Sequence, residues 1–163
     1  MKQVTLLLLK RDNQILLAMK KRGFGVGKWN GAGGKVEPGE SALEAAIREC
    51  QEEIGVTPTN PAHAGYLQFF MPEKPGFEHR CNVFVADEWQ GDPVESEEMR
   101  PQWFDLDKIP YKEMWPDDEI WMPHLLAGDK FEMLVSVSDT EVFEYKLRTV
   151  KTIKGGDLRG TFN

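Results

Sequence analysis

The segment Gly34–Val56 has the sequence GKVEPGESALEAAIRECQEEIGV. It reads as a loop, a helix and a helix stop. Pro38-Gly39 is turn chemistry. Ser41 followed three residues on by Glu44 fits a capping box, which predicts a helix starting just after Ser41. Gly55 falls where a left-handed C-terminal cap ends a helix. Leu43, Ala46, Ile47, Cys50 and Ile54 recur at helical spacing and are expected to form one apolar stripe. At about 100° per residue, Glu49, Glu52 and Glu53 fall together on one flank of that stripe, within an arc of roughly 100°.

Three carboxylates on one flank repel one another, at a few tenths of a kcal/mol per like-charged pair. Arg48 offsets part of this through Glu52, one turn on. A divalent cation would offset much more. Clustered hard oxygens suit Mg²⁺, which commonly takes one or two carboxylates, several waters and substrate phosphates. A solvated acidic face is the ordinary explanation for charge on a helix, and spacing alone does not decide between the two.

The longer pattern does. Gly34, five residues, Glu40, seven residues, then Arg48-Glu49-Cys50-Gln51-Glu52-Glu53-Ile54-Gly55-Val56 resembles the Nudix box. Cys50 stands where that family usually carries a larger aliphatic residue. A buried cysteine behaves as a small hydrophobe, so the site is expected to be undisturbed.

The chain has 163 residues, of which 40% are apolar, and the expectation is one domain over 1–153. A net charge of −7 opposes binding of a nucleic-acid polymer across the average surface. A phosphorylated small molecule can still be bound if metal ions mediate. The two cysteines, Cys50 and Cys81, form neither a CxxC nor a zinc pattern, so a reducing compartment is expected. The apolar run Val4–Leu9 is too short for a signal-peptide core or a membrane span. These features lead to the expectation of a cytoplasmic monomer without membrane contact.

Outward from the helix, Val4–Leu9 and Ile15–Met19 read as strands around the turn Arg11-Asp12-Asn13. Lys20–Lys28 is a basic, glycine-rich loop that fails as a Walker A loop, because Trp29 follows Gly27-Lys28. Trp29–Lys35 packs three glycines into four residues, which implies close approach of the backbone to something. Thr57–Ala62 is a connection. Gly65–Met71 reads as a strand with Phe69 and Met71 on one face. Phe77–Asp87 and Trp103–Leu106 read as further strands, separated by the acidic loop Gly91–Arg100. In Met114–Trp121, two adjacent aspartates lie between two tryptophans, and a helix is expected from near Asp117. Acids in a first turn favour the helix dipole, so Asp117 and Asp118 are either caps or site residues. Lys130–Val137 and Val142–Val150 alternate as a hairpin. Lys154–Asn163, polar and glycine-rich, is expected to be a disordered tail.

Beyond the box, the segments MKKRGFGVGKWNGAGGKV, PVESEEMRPQWF and MWPDDEIW are similar to the oxidised-purine nucleoside triphosphatases of the Nudix family, over roughly residues 4–153. The resemblance implies an α/β Nudix fold with a mixed sheet between helices. It implies Mg²⁺-dependent hydrolysis of a damaged purine nucleoside triphosphate to the monophosphate and pyrophosphate, with Mn²⁺ as a substitute ion. Glu49, Glu52, Glu53 and Glu98 would hold metal with the carbonyl of Gly33; Glu53, Glu49 and Glu52 form the expected catalytic set, in which Glu53 is favoured as base and Glu49 as ligand, although a shared metal cluster does not by itself assign those roles. Lys20 would contact substrate. Thr5, Asn30, Trp115, Asp117 and Asp118 would line a base pocket, with Phe24, Phe69 and Met71 as apolar walls. Ala32, Gly34, Lys35 and Pro116 join the substrate side. His79 departs from the methionine of the family's human member at that pocket position. The competing readings are a Nudix hydrolase for ADP-ribose or a dinucleotide, and a non-catalytic nucleotide-binding Nudix module. All box glutamates are present, which opposes the latter.

Overall fold

In the computed structural model, which describes residues 1–162, the leucine run lies in strand β1 (Lys2–Arg11). Strand β2 (Gln14–Lys20) returns after a turn in which Asp12 takes a left-handed φ of 45°, a conformation aspartate tolerates better than most residues. Then follow β3 (Trp29–Asn30), β4 (Ala32–Lys35), helix α1 (Ala42–Ile54), β5 (Thr57–Pro58), β6 (Ala62–Phe70), β7 (Glu78–Ala86), β8 (Trp89–Gln90) and β9 (Met99–Asp105). A 3₁₀ turn (Tyr111–Glu113), helix α2 (Asp118–Leu126) and the hairpin of β10 (Lys130–Val137) and β11 (Val142–Val150) complete the order.

The main sheet is mixed and runs β11-β10-β6-β7-β1-β2-β3, with β4 also on β1 and β9 also on β2. Strand β1 lies parallel to β7, with Leu6 opposite Val83. Its other edge is shared: β4 pairs with Val4–Leu7 and β2 with Leu9–Arg11, both antiparallel. Strand β10 joins β6 in parallel. Strands β5 and β8 form a separate small ribbon.

Both sheet faces are covered, which is why the leucines run without a break. Side chains alternate along a strand. Leu6 and Leu8 enter a core with Trp121, Met122 and Leu125 of α2. Leu7 and Leu9 enter a second core with Ala46, Cys50 and Ile54 of α1. The layers are helix, sheet, helix, as the resemblance implies.

Helix α1 begins after Ser41 and carries the full capping box: Glu44 N–H donates to Ser41 Oγ at 3.1 Å, and Ser41 N–H to Glu44 Oε1 at 2.9 Å. Gly55 closes it at φ 72°. The apolar stripe needs correction. Leu43 is 39% exposed and Ile47 half-buried, while the inward face is Ala45, Ala46, Cys50, Glu53 and Ile54. The cause is close approach of α1 to β4. A Cβ on Gly34 would stand 2.6 Å from the Glu49 carboxyl carbon; one on Gly33 would instead meet the paired strand β1, 1.9 Å from the Thr5 carbonyl oxygen. Small side chains fit at such a contact; the cysteine in the box is one of them.

The tail also differs from expectation over the range described, 154–162; Asn163 lies outside the described residues. Leu158 is 1% exposed and its N–H donates to Gln68 Oε1 at 2.7 Å. The N–H groups of Lys154 and Gly155 each donate to Glu132 Oε2 at 2.9 Å. Gln68 and Glu132 are buried polar groups on β6 and β10, and buried polar groups require partners; the tail supplies them. Among the described residues, no helix is long and apolar enough to cross a membrane.

Candidate active site

A cavity of about 320 Å³ opens where β1, β6 and β7 meet α2 and the glycine-rich loops. Strand register sets its floor in rows: Lys2, His79 and Phe69 lie side by side, then Val4, Cys81 and Leu67. Its wall is aromatic. Phe24 stacks on Trp115 at 4.9 Å and 22°, and Phe69 meets Trp115 edge-on at 5.5 Å and 87°. Gly25, at φ 83°, lets the Phe24 loop lie close to Trp115.

Four buried side-chain atoms around this cavity have no hydrogen-bond partner: Thr5 Oγ1, Glu53 Oε2, Asp117 Oδ1 and Asp118 Oδ2. An unsatisfied buried polar group costs about 1–3 kcal/mol. Four at one cavity mark a site whose polar groups are kept for a ligand.

The aspartates do not cap α2. Asp117 sits at the N-cap position but makes no capping bond, and its Oδ2 accepts from Trp121 Nε1 at 3.1 Å. Both carboxyls are almost fully buried. Burial raises both, and the charge of Asp117 raises Asp118 further. Both shifts favour the pair sharing a proton, an arrangement that offers a donor beside an acceptor.

At the other end, Glu53 is 4% exposed, and its Oε1 accepts from Gly33 N–H at 3.1 Å. Burial pushes its carboxyl up to about 8, with Lys20 opposing and Glu49 adding. Arg48 organises the remaining box carboxylates: Glu40 at 2.6 Å, Glu49 at 3.0 Å and Glu52 at 3.2 Å, with a further bond to the Lys35 carbonyl at 3.1 Å. Glu98 is held by Arg22 at 2.6 Å and faces Lys20 at 3.6 Å.

Of the residues the sequence proposed, Thr5, Lys20, Phe24, Asn30, Gly33, Gly34, Lys35, Glu53, Phe69, Trp115, Asp117 and Asp118 line the cavity. Ala32 instead packs in the α1-side core and Met71 in the α2-side core. Pro116, Glu49, Glu52 and Glu98 are also absent from the lining. Residues that the sequence reading passed over include Lys2, Leu67, Cys81, Met99 and Trp121. Alternation along β1 and β7 was the signal that could have placed Lys2 with Val4, and Cys81 with His79.

The NUDIX domain matches the chain over residues 1–125. The chain belongs to the Nudix family. Two relatives named oxidized purine nucleoside triphosphate hydrolase are each 44% identical to this Nudix chain. The one from Danio rerio aligns over 93% of this chain and 97% of its own length, and that from Mus musculus over 90% and 94%. A MutT protein from Bacillus halodurans shares the fold at a TM-score of 0.80 and 31% identity, covering 90% of this chain and 97% of that one.

Nudix hydrolases generally use a divalent metal such as Mg²⁺. The donors here fit in kind: hard carboxylate oxygens, one of them, Glu53 Oε2, buried without a partner. Among the described residues no three such side chains are already gathered around a metal position. Glu53 and Glu49 are the first candidates. Glu49 and Glu52 are both paired with Arg48, and Glu98 with Arg22.

Proposed function

We propose that this Nudix enzyme hydrolyses oxidised purine nucleoside triphosphates, of the 8-oxo-dGTP and 2-oxo-dATP type, to the nucleoside monophosphate and pyrophosphate, and so clears damaged precursors from the nucleotide pool. The observation that carries this reading is the aromatic cavity in which four buried polar atoms are left unpartnered. The names of the two relatives support it independently. Stacking on the aromatic wall is worth about 1–3 kcal/mol for a base. Asp117 and Asp118, sharing a proton, present an acceptor and a donor to the base edge; guanine-like edges bring N–H donors at N1 and N2. Lys20 and Lys35 bring positive charge to the phosphate end.

Glu49 and Glu53 would hold Mg²⁺, or Mn²⁺ in its place, with Glu52, Glu98 and the Gly33 carbonyl completing the set. When bound, the ion neutralises the phosphates and acidifies a water. Glu53 takes the proton from the attacking water, a role suited to a carboxylate held by Gly33 beside the cavity. Arg48 keeps Glu49 oriented. The net charge of −7 favours a small metal-bound nucleotide over a polymer, and we infer a cytoplasmic monomer.

The test is a panel of 8-oxo-dGTP, 2-oxo-dATP, dGTP, dATP and ADP-ribose, assayed with Mg²⁺ for pyrophosphate and run in ¹⁸O-water. The oxidised triphosphates should give the highest kcat/KM, with label in pyrophosphate from attack at the β-phosphorus. Label only in the monophosphate would move the attack to the α-phosphorus. Inorganic phosphate as the primary product, or preference for ADP-ribose, would overturn the reading.

A further inference from the structure

His79 lines the cavity, is half-buried, and makes no side-chain hydrogen bond among the described residues. Aromatic neighbours hold its ring: Phe77 at 4.3 Å and 31°, Phe24 at 5.4 Å and 59°. Burial, with Lys2 beside it, drives the imidazole down to about 4, so at neutral pH the ring is uncharged and carries one N–H donor and one bare nitrogen. A neutral donor fixed by packing on a cavity wall, with nothing to bond to, is the pattern of a ligand-reading group.

Its position says which part of a ligand it meets. Asp117, Asp118, Cys81 and His79 all line the one cavity. His79 is two residues along β7 from Cys81 on the same face, in the neighbouring row with Lys2 and Phe69. Two strand residues span about 7 Å, comparable with the width of a fused purine. A base in this cavity that gives its N1 and N2 edge to the carboxylate pair has its five-membered ring left to face the other lining residues, His79 among them.

We propose that His79 is a specificity-determining residue that donates its ring N–H to the carbonyl oxygen at C8 of an 8-oxidised purine. An unmodified purine carries C8–H there and offers no acceptor at C8, its nearest one being N7. This inference rests on the proposed oxidised-purine activity and deepens it: the carboxylates recognise a purine, and His79 recognises the oxidation at C8.

The experiment compares kcat/KM for 8-oxo-dGTP, dGTP and 8-bromo-dGTP in the wild type, His79→Met and His79→Gln, with thermal unfolding of each. Wild type without preference for 8-oxo-dGTP over dGTP would sink the functional reading itself, before any variant is considered. Given that preference, His79→Met should lower kcat/KM for 8-oxo-dGTP by about three- to tenfold, the scale of one neutral hydrogen bond, chiefly through KM. The ratio of 8-oxo-dGTP to dGTP, and of 8-oxo-dGTP to 8-bromo-dGTP, should fall by the same three- to tenfold, and His79→Gln, which keeps a donor, should restore most of the loss. An unchanged 8-oxo-dGTP to dGTP ratio in His79→Met, or a His79→Gln variant as impaired as His79→Met, overturns the assignment. Calorimetry on wild type without metal tests the same donor independently of variant folding. 8-oxo-dGMP should bind more tightly than 8-bromo-dGMP, which fills the same space without a comparable acceptor, and equal affinity overturns the inference.

Discussion

Asp118→Asn separates site chemistry from scaffold more cleanly than any other single change. The side chain is 3% exposed, its Oδ2 has no partner, and it lies beside Asp117, whose Oδ2 is already bonded to Trp121. The amide keeps the shape but removes the exchangeable proton. A hydrogen bond to a charged group is worth about 1.5–3 kcal/mol, so kcat/KM for 8-oxo-dGTP should fall about ten- to a hundredfold. The ratio of 8-oxo-dGTP to 2-oxo-dATP should shift as well, because the two bases present different donor patterns. Stability should move the other way. Carboxyls raised above the unfolded value of 3.8 bind more protons folded than unfolded. Their stabilising contribution is complete below about that pH and is lost as pH rises through the folded values. The contribution of this pair should therefore fall from about pH 4 through neutrality, so wild type should lose stability relative to Asp118→Asn over that range. Urea denaturation at pH 5 and pH 8, with steady-state kinetics on both substrates, reads both effects. A variant with lowered stability at pH 8 and an unchanged substrate ratio would refute the reasoning and return the aspartates to a purely structural role.

Glu53→Gln should keep the fold and lose on the order of 10²–10⁴ in kcat with Mg²⁺ saturating, as removal of a general base requires; near-wild-type turnover in a direct pyrophosphate assay would remove Glu53 from that role. Glu44→Gln, confined to the capping box on the exposed side of α1, is its control and should leave kcat/KM within about twofold in the same assay, since Gln serves at that box position. Leu158→Ala should cost about 2–4 kcal/mol by urea denaturation, the range for a buried leucine, with kcat/KM unchanged, because Leu158 does not line the cavity; a cost below about 1 kcal/mol would mean the 154–158 segment contributes little to the fold.

The helix, its caps and the strands were legible because each is written locally, in Ser41-Glu44, Gly55 and the alternation of Lys130–Val150. The inward face of α1 was not. A helical wheel gives an arc of apolar residues, but close approach to Gly33-Gly34 selects Ala45, Ala46 and Cys50 over Leu43. Likewise the partner of Arg48 one helical turn on, Glu52, is legible in the sequence, while its shortest ion pair, to Glu40 across the loop, depends on tertiary placement. The cavity floor depends on register between β1, β6 and β7, strands distant in sequence. That is why Lys2 and Cys81 escaped notice while the aromatic and acidic members of MWPDDEIW did not. Met71, two residues beyond Phe69, shares its core but lies past the end of β6 and outside the cavity lining. The tail looked loose because it is polar, yet polar backbone is what buried Glu132 and Gln68 need.

The match to the family stops at residue 125, but the sheet does not. Strand β10, from Lys130, covers the edge of β6, and Phe131 stacks on Trp121 at 5.5 Å. A gene trimmed at that boundary would bare a nine-residue strand whose central residues are buried. An open, flat, apolar strand edge is a template for intermolecular pairing. The natural seam for excising or fusing this domain therefore lies beyond Leu158, and a shorter piece would be expected in inclusion bodies rather than in solution.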